Sequence, residues 1–97
     1  MRLVSLKPST NKDKKLMATF DNGKRIHFGA KGMMDYTKYF KQDPKLAKQK
    51  RDAYDARHKV NEDWTDPLTA GALAKFILWN KPTIEASKAD FIKRFNL

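Results

Sequence analysis

The first third of the chain alternates apolar and polar residues in the manner of β-strands. Leu16–Phe20 and Lys24–Phe28 are two such runs, and Asp21-Asn22-Gly23 separates them. Asn-Gly between alternating runs is typical of a hairpin turn, because both residues accept a positive φ. We therefore predict an antiparallel hairpin here and a third strand at Arg2–Leu6. The polar, proline-containing residues 7–15 are expected to form the loop that joins this strand to the hairpin.

A connector rich in large side chains follows the strands. Glycines at positions 29 and 32 interrupt the alternation, as expected where a strand ends. Five large side chains then occur within eight residues: Met33, Met34, Tyr36, Tyr39 and Phe40. Because so many large side chains rarely face solvent together, we expect the connector to pack over the hairpin, with a helical turn.

Start signals in the second half of the chain predict three helices. Asp43-Pro44 supplies an N-cap residue and a proline for the first position of one helix. Asp66-Pro67 supplies the same pair for the next helix. Thr83 is the expected cap of the third helix, and Pro82 prevents the second from continuing. The expected helices are Lys45 to about Val60, Leu68–Trp79, and Ile84 to about Phe95.

The apolar stripes of the last two helices predict the core. The middle helix is apolar over most of its circumference and should be the buried one. The residues expected to be buried together are Leu73, Phe76, Ile77, Phe91 and Phe95. The predicted fold is α+β, with a small N-terminal antiparallel β-hairpin or sheet packed against three C-terminal helices. We expect one domain over residues 1–97, in which 1–32 form a basic β-rich part and 43–97 the helical part.

The charge is strongly positive and unevenly distributed. The 97 residues include 21 Lys and Arg against 11 Asp and Glu, for a net charge of +10. Residues 1–42 hold ten basic and three acidic residues, 43–61 hold six and three, and 62–97 hold five of each. Such a field attracts nucleic acid, acidic protein surfaces or anionic lipid heads. The simpler alternative is that a basic surface only keeps a small protein soluble.

Motifs for catalysis, cofactors and metals are missing from the sequence. There is no cysteine, which excludes disulfides and thiolate metal sites and fits a reducing compartment. The two histidines, His27 and His58, are far apart, and no metalloprotease, P-loop or dinucleotide motif occurs. We therefore predict a protein that is not an enzyme and that holds no cofactor or metal.

Membrane insertion and secretion are not expected either. The longest apolar run, Phe76–Trp79, is far shorter than the roughly 18 residues of a membrane span. The first residues of the chain lack the apolar core of a secretion signal.

The first predicted helix carries the most suggestive polar pattern. Arg51, Tyr54 and Arg57 follow one another at intervals of three and can share one edge of the helix. Two guanidinium groups and a phenol on one edge could bind phosphate or carboxylate. In the alternative, Tyr54 packs inward and the arginines pair with neighbouring carboxylates, namely Asp52, Asp55 or Glu62.

The cations of the β-rich part complete the candidate site. We expect a partner-binding or polyanion-binding set made of Lys12, Lys14, Lys15, Lys24, Arg25, Arg51, Tyr54 and Arg57. Trp64 and Trp79 could stack on bases, but in so small a domain we expect them to serve in the core or at the joints between helices.

Four stretches of the chain resemble a known group of proteins. They are Phe28-Gly29-Ala30-Lys31-Gly32, Asp35-Tyr36-Thr37, Arg51-x2-Tyr54-x2-Arg57-His58-x2-Asn61-x2-Trp64-x-Asp66-Pro67-x2-Ala70-Gly71, and Leu78-Trp79-Asn80-Lys81-Pro82-Thr83. Together they resemble small basic proteins encoded by large double-stranded DNA viruses of algae and amoebae and by related environmental genomes. The likeness spans about residues 14–95. The chain departs from the pattern at Met33-Met34, where such proteins resemble Gly-Tyr-Ser, and at Tyr39-Phe40-Lys41, which replaces a more polar stretch.

The resemblance implies a viral origin but no reaction, cofactor or catalytic residue. Small basic proteins of such viruses often lie inside the particle, under the capsid shell or on the genome. The leading hypothesis is a non-enzymatic, virion-associated structural protein of minor-capsid type that docks through a basic surface on other, acidic virion proteins. It would be found in the virion, and in the host cytoplasm during assembly. The alternative is a nucleic-acid-binding protein that grips phosphates with the basic hairpin and the first helix.

Overall fold

The sheet comes first along the chain and the helices follow it. The computed structural model describes all residues from Met1 to Leu97. Its elements are β1 (Leu3–Pro8), β2 (Lys14–Phe20), β3 (Arg25–Ala30), α1 (Tyr36–Gln42), α2 (Pro44–His58), α3 (Ala70–Leu73) and α4 (Ile84–Phe95). Residues Ala74–Leu78 continue α3 as a π-helical segment. The strands form one antiparallel sheet in the order β1-β2-β3, and the predicted α+β class is confirmed.

The predicted hairpin and third strand are both present. The amide of Phe20 donates to the carbonyl of Lys24 at 2.9 Å, and this closes a three-residue loop, Asp21–Gly23. Of the loop residues, only Gly23 has a positive φ, at 87°, which suits a three-residue hairpin loop. Strand β1 pairs with β2 in antiparallel register, with Leu6 opposite Ala18, and a bulge lies near its start.

The core lies between the inner face of the sheet and the last two helical segments. The buried cluster consists of Ala18, Phe20, Phe28, Leu73, Ile77, Leu78 and Phe91. Two residues predicted for the core, Phe76 and Phe95, are only partly buried. They meet edge to face with ring centroids 5.5 Å apart, and the guanidinium of Arg94 lies over the Phe76 ring.

The π-helical segment accounts for the position of Phe76 at the edge of the core. The amide of Trp79 donates to the carbonyl of Ala74, five residues earlier, at 3.2 Å. Such a widened turn inserts one residue into the α-helical repeat. Leu78 therefore faces the core, where a regular helix would have placed Phe76 beside Ile77.

Two of the three predicted helix starts are confirmed. The carboxylate of Asp43 accepts from the amide of Lys45 at 3.0 Å, and the hydroxyl of Thr83 accepts from Ala86. The predicted start of the middle helix is wrong, because Thr69, and not Asp66, is its cap and accepts from Ala72 at 3.1 Å.

Asp66 instead closes a turn ahead of that helix. Its carboxylate accepts from the amide of Leu68 at 2.9 Å, a hydrogen bond typical of Asp in a local turn. Thr69 has the extended backbone of an N-cap residue, with φ −120° and ψ 148°.

The connector forms a helix of its own. Asp35 caps α1 by accepting from the amide of Lys38 at 3.2 Å. Helix α1 packs mainly against α2 and not over the hairpin, because only Asp43 separates the two helices and also caps α2.

One glycine permits the close approach of the sheet to the helices. Gly29 of β3 has a φ of 79°, and a Cβ atom there would lie 2.6 Å from Cδ1 of Leu78. The positive φ favours glycine at this position, and a larger residue would also have to displace the side chain of Leu78.

Candidate partner-binding cleft

The hairpin separates two of the predicted cation groups. Lys14 pairs with Ala30 at one end of the hairpin, and Arg25 pairs with Thr19 at the other. At about 3.3 Å per residue, the five steps from position 14 to position 19 span roughly 17 Å. Lys12 lies in the loop before β2, on the side of Lys14, and Lys24 lies beside Arg25. Only a large partner could engage both ends of the hairpin at once.

A cleft brings several of the predicted residues together. Its volume is about 360 Å³, and it lies between one end of the hairpin, residues 33–35, the C-terminal end of α2, and α3 with its π-helical extension. The basic side chains along it are Lys14, Lys15, Arg57 and His58. Lys24, Arg25 and Arg51 are not among its lining residues.

Lys15 is committed to an ion pair inside the protein. Its Nζ atom lies 2.8 Å from Oδ2 of Asp35, and the two side chains are only 12% and 4% exposed. Burial alone would raise the pKa of Asp35, but hydrogen bonds from Lys15 and Thr37 outweigh it and hold the pKa below its ordinary value. The pair ties strand β2 to the start of α1, and its charges cancel.

Arg51 also serves the fold. Its guanidinium donates to the backbone carbonyl of Asn80 at 3.0 Å and lies over the ring of Tyr36, 4.5 Å from the centroid. Arg51 therefore connects α2 with α1 and with the turn before α4, and it is only partly exposed.

Tyr54 packs inward, as the alternative hypothesis for this helix expected. Its side chain is buried between the rings of His58 and Trp79, with centroids 4.2 Å and 4.7 Å away. Burial, followed by the negative charges of Glu62 and Asp55, raises the pKa of Tyr54 to about 12. The hydroxyl is therefore a neutral group at ordinary pH.

The carboxylates near Tyr54 pair with residues other than the predicted arginines. Asp55 binds Lys75 at 2.8 Å, and Oε1 of Glu62 lies 3.1 Å from Nδ1 of His58. A Cβ atom at position 71 would overlap the carboxylate of Glu62, so Gly71 makes room for it. Oε2 of Glu62 is buried without a hydrogen-bond partner in the protein.

Arg57 and Lys14 are the cations of the cleft that remain free. Both side chains are exposed, and neither belongs to any of the four ion pairs. Met33 and Met34 lie along the same cleft, and Met33 is 63% exposed. The cleft therefore combines free positive charge with apolar surface.

The two tryptophans act at helix joints. Trp79 stacks on Tyr54 and lines the cleft. Trp64 is partly buried, with the ammonium group of Lys75 5.2 Å from its ring centroid. Both rings are thus in contact with residues of neighbouring elements, which agrees with the role expected of them from the sequence.

Several residues of the cleft were not expected from the sequence. Three of them, Asp35, His58 and Gly71, belong to the stretches that carry the viral resemblance. The resemblance could therefore have pointed to these residues as part of a site. Glu62 follows His58 by four residues, a spacing that predicts a pair on a helix, but α2 ends at His58. For Met33 and Met34, the only indication in the sequence was that they differ from the corresponding residues of the resembling proteins.

Comparison with known proteins places the chain in a family. Residues 4–58 match a family of unknown function, DUF5754, and because this is more than half of the chain, the protein belongs to that family. The match covers the sheet, α1 and α2, and so includes Lys14, Asp35 and Arg57. No curated protein and no solved structure matches the chain.

Two further properties concern metals and membranes. No three His, Cys, Asp or Glu side chains are grouped closely enough to hold a metal ion. None of the helices has both the length and the apolar content to cross a membrane.

Proposed function

We propose that this protein is a non-enzymatic, virion-associated structural protein of minor-capsid type, which docks through its basic surface on an acidic protein partner. The observation that carries this proposal is the lack of internal partners for its cations. Of the ten basic residues in 1–42, Lys15 alone takes part in an ion pair. The positive charge is therefore available at the surface, where it attracts an acidic partner.

The character of the cleft favours a protein partner. Protein interfaces combine an apolar centre with a polar rim, and here Met33 and Met34 lie beside Lys14 and Arg57. Methionine side chains adapt readily to the shape of a partner. An acidic protein surface with apolar side chains would satisfy both parts of the cleft.

The viral part of the proposal rests on the resemblance to small basic proteins of large DNA viruses. All four resembling stretches contribute residues to the cleft, including Gly29, Asp35, Arg57 and Trp79. We propose a place in the virion, reached from the host cytoplasm during assembly, because small basic proteins of such viruses often lie inside the particle.

Nucleic acid is the second candidate partner, and the surface of α2 favours it. Lys45, Lys48, Lys50 and Lys59 are exposed along or just after this helix, together with Arg57. Such cations could grip phosphates without reading sequence. Binding of single strands by base stacking is less favoured, because the rings of Tyr54 and Trp79 already stack on each other.

A salt titration separates the two candidates. Duplex binding through about six or more phosphate contacts would weaken about 10³-fold or more between roughly 50 and 200 mM salt. Under the leading proposal, duplex binding is weak and is abolished near physiological salt. Tight duplex binding at physiological salt, weakened by Lys14→Ala with Arg57→Ala and unchanged by Lys88→Ala with Lys93→Ala, would favour nucleic acid instead.

A further inference from the structure

The size of the cleft limits what it can hold. About 360 Å³ is at the lower end of the range of ligand pockets, enough for a few side chains of a peptide. The small residues Ala70, Gly71 and Ala74 form part of its lining. The cleft therefore has room for a short segment of peptide chain and not for a folded domain.

The charges within the cleft leave a net positive rim. Asp35 is neutralised by Lys15, whereas Glu62 hydrogen-bonds to His58, which balances its charge only when the histidine is protonated. Lys14 and Arg57 then remain without an acidic partner, one on the hairpin and one on α2. Anionic side chains placed along this rim would meet cations from two different parts of the fold.

The apolar surface of the cleft needs a different partner group. Met33 is 63% exposed, and Met34 lies along the cleft with it. A phosphate backbone would leave this surface in contact with water, whereas a peptide with an apolar residue beside an acidic one would cover it.

We propose that the cleft binds an extended acidic peptide segment of the partner protein. Acidic side chains of the segment lie at Lys14 and at Arg57, and a neighbouring apolar side chain covers Met33 and Met34. This inference rests on the proposed docking function and names the chemistry of its partner.

The test uses the full chain and a labelled synthetic peptide of alternating Glu and Leu. Anisotropy at physiological salt should show binding, and a peptide with Gln in place of every Glu should bind at least about tenfold more weakly. Replacing every Leu by Ser should weaken binding to a similar degree. Each protein variant is first checked for folding by circular dichroism.

Variants of the protein locate the site. Arg57→Ala and Lys14→Ala should each weaken peptide binding several-fold, and Met33→Asp should reduce it further. Lys93→Ala is the matched control, because it removes one exposed cation from α4, away from the cleft. Its affinity for the peptide should be that of the unmodified chain.

Several results would overturn the inference. Equal losses from Lys93→Ala and Arg57→Ala would mean general charge attraction without a cleft, and docking by the basic surface would then survive. Equal binding of the Glu and Gln peptides would show that the cleft does not recognise acidic side chains. Competition by duplex DNA that depends on Lys14 and Arg57 at physiological salt would make the cleft a phosphate site and would also contradict the protein partner.

Discussion

The phenol ring of Tyr54 lies face to face with the indole ring of Trp79, with centroids 4.7 Å apart and planes 12° from parallel. The ring of His58 stacks on Tyr54 as well. These contacts hold the C-terminal end of α2 against the end of the π-helical segment. They fix one wall of the cleft, from which Arg57 remains exposed.

This packing predicts an alkaline loss of stability. Burial and nearby carboxylates raise the pKa of Tyr54 to about 12, from the ordinary value of 10.0. The neutral phenol thus contributes stability that is complete below pH 10 and is lost as the pH rises towards 12. Urea unfolding between about pH 9 and 11 should show a larger loss for the unmodified chain than for Tyr54→Phe. Tyr39→Phe serves as the control and should lose as much as the unmodified chain; equal losses in all three would contradict the account.

The two aromatic residues Phe91 and Phe76 should differ in their effect on stability. Phe91 is 0% exposed in the core, so Phe91→Ala should lower the free energy of unfolding by about 3–5 kcal/mol. Phe76 is partly exposed beneath Arg94, and Phe76→Ala should cost clearly less. Denaturant titration of both variants measures the difference. A larger loss from Phe76→Ala would mean that the ring lies at the centre of the core and not at its edge.

The aspartates before the two proline-marked helices should also differ. Asp43→Ala should cost about 0.5–2 kcal/mol, because Asp43 caps α2. Asp66→Ala should cost less, because Thr69 caps α3 and Asp66 only closes the preceding turn. Chemical unfolding of both variants checks this order. A greater loss of stability from Asp66→Ala than from Asp43→Ala would indicate that the helix begins at Asp66, as expected from the sequence.

Local patterns were sufficient to predict most of the fold. Alternation and the Asn-Gly pair predicted the hairpin, and Asp43 and Thr83 marked two helix starts. The π-helical turn could not be predicted, because the order of Phe76, Ile77 and Leu78 fits a regular helix equally well. Which side of that segment faces the sheet depends on contacts such as Gly29 with Leu78, which are distant in sequence.

The candidate site was less predictable, because its pairs are also distant in sequence. Lys15 and Asp35 are 20 residues apart, as are Asp55 and Lys75. Only two residues of α2 are buried, so the sequence of this helix resembles that of a solvated basic helix. The inward packing of Tyr54 could not be predicted from it. The exposure of each side chain in the structure was therefore needed to distinguish Lys14 and Arg57 from Lys15 and Arg51, which make contacts within the fold.

The central claim is that the protein docks on an acidic protein of the virus particle. The most direct measurement is quantitative mass spectrometry of purified particles before and after their DNA is released. The account predicts that the protein is present in a fixed ratio to the shell proteins and that it stays with the emptied shells. Loss of the protein together with the DNA, or its absence from intact particles, would contradict the account.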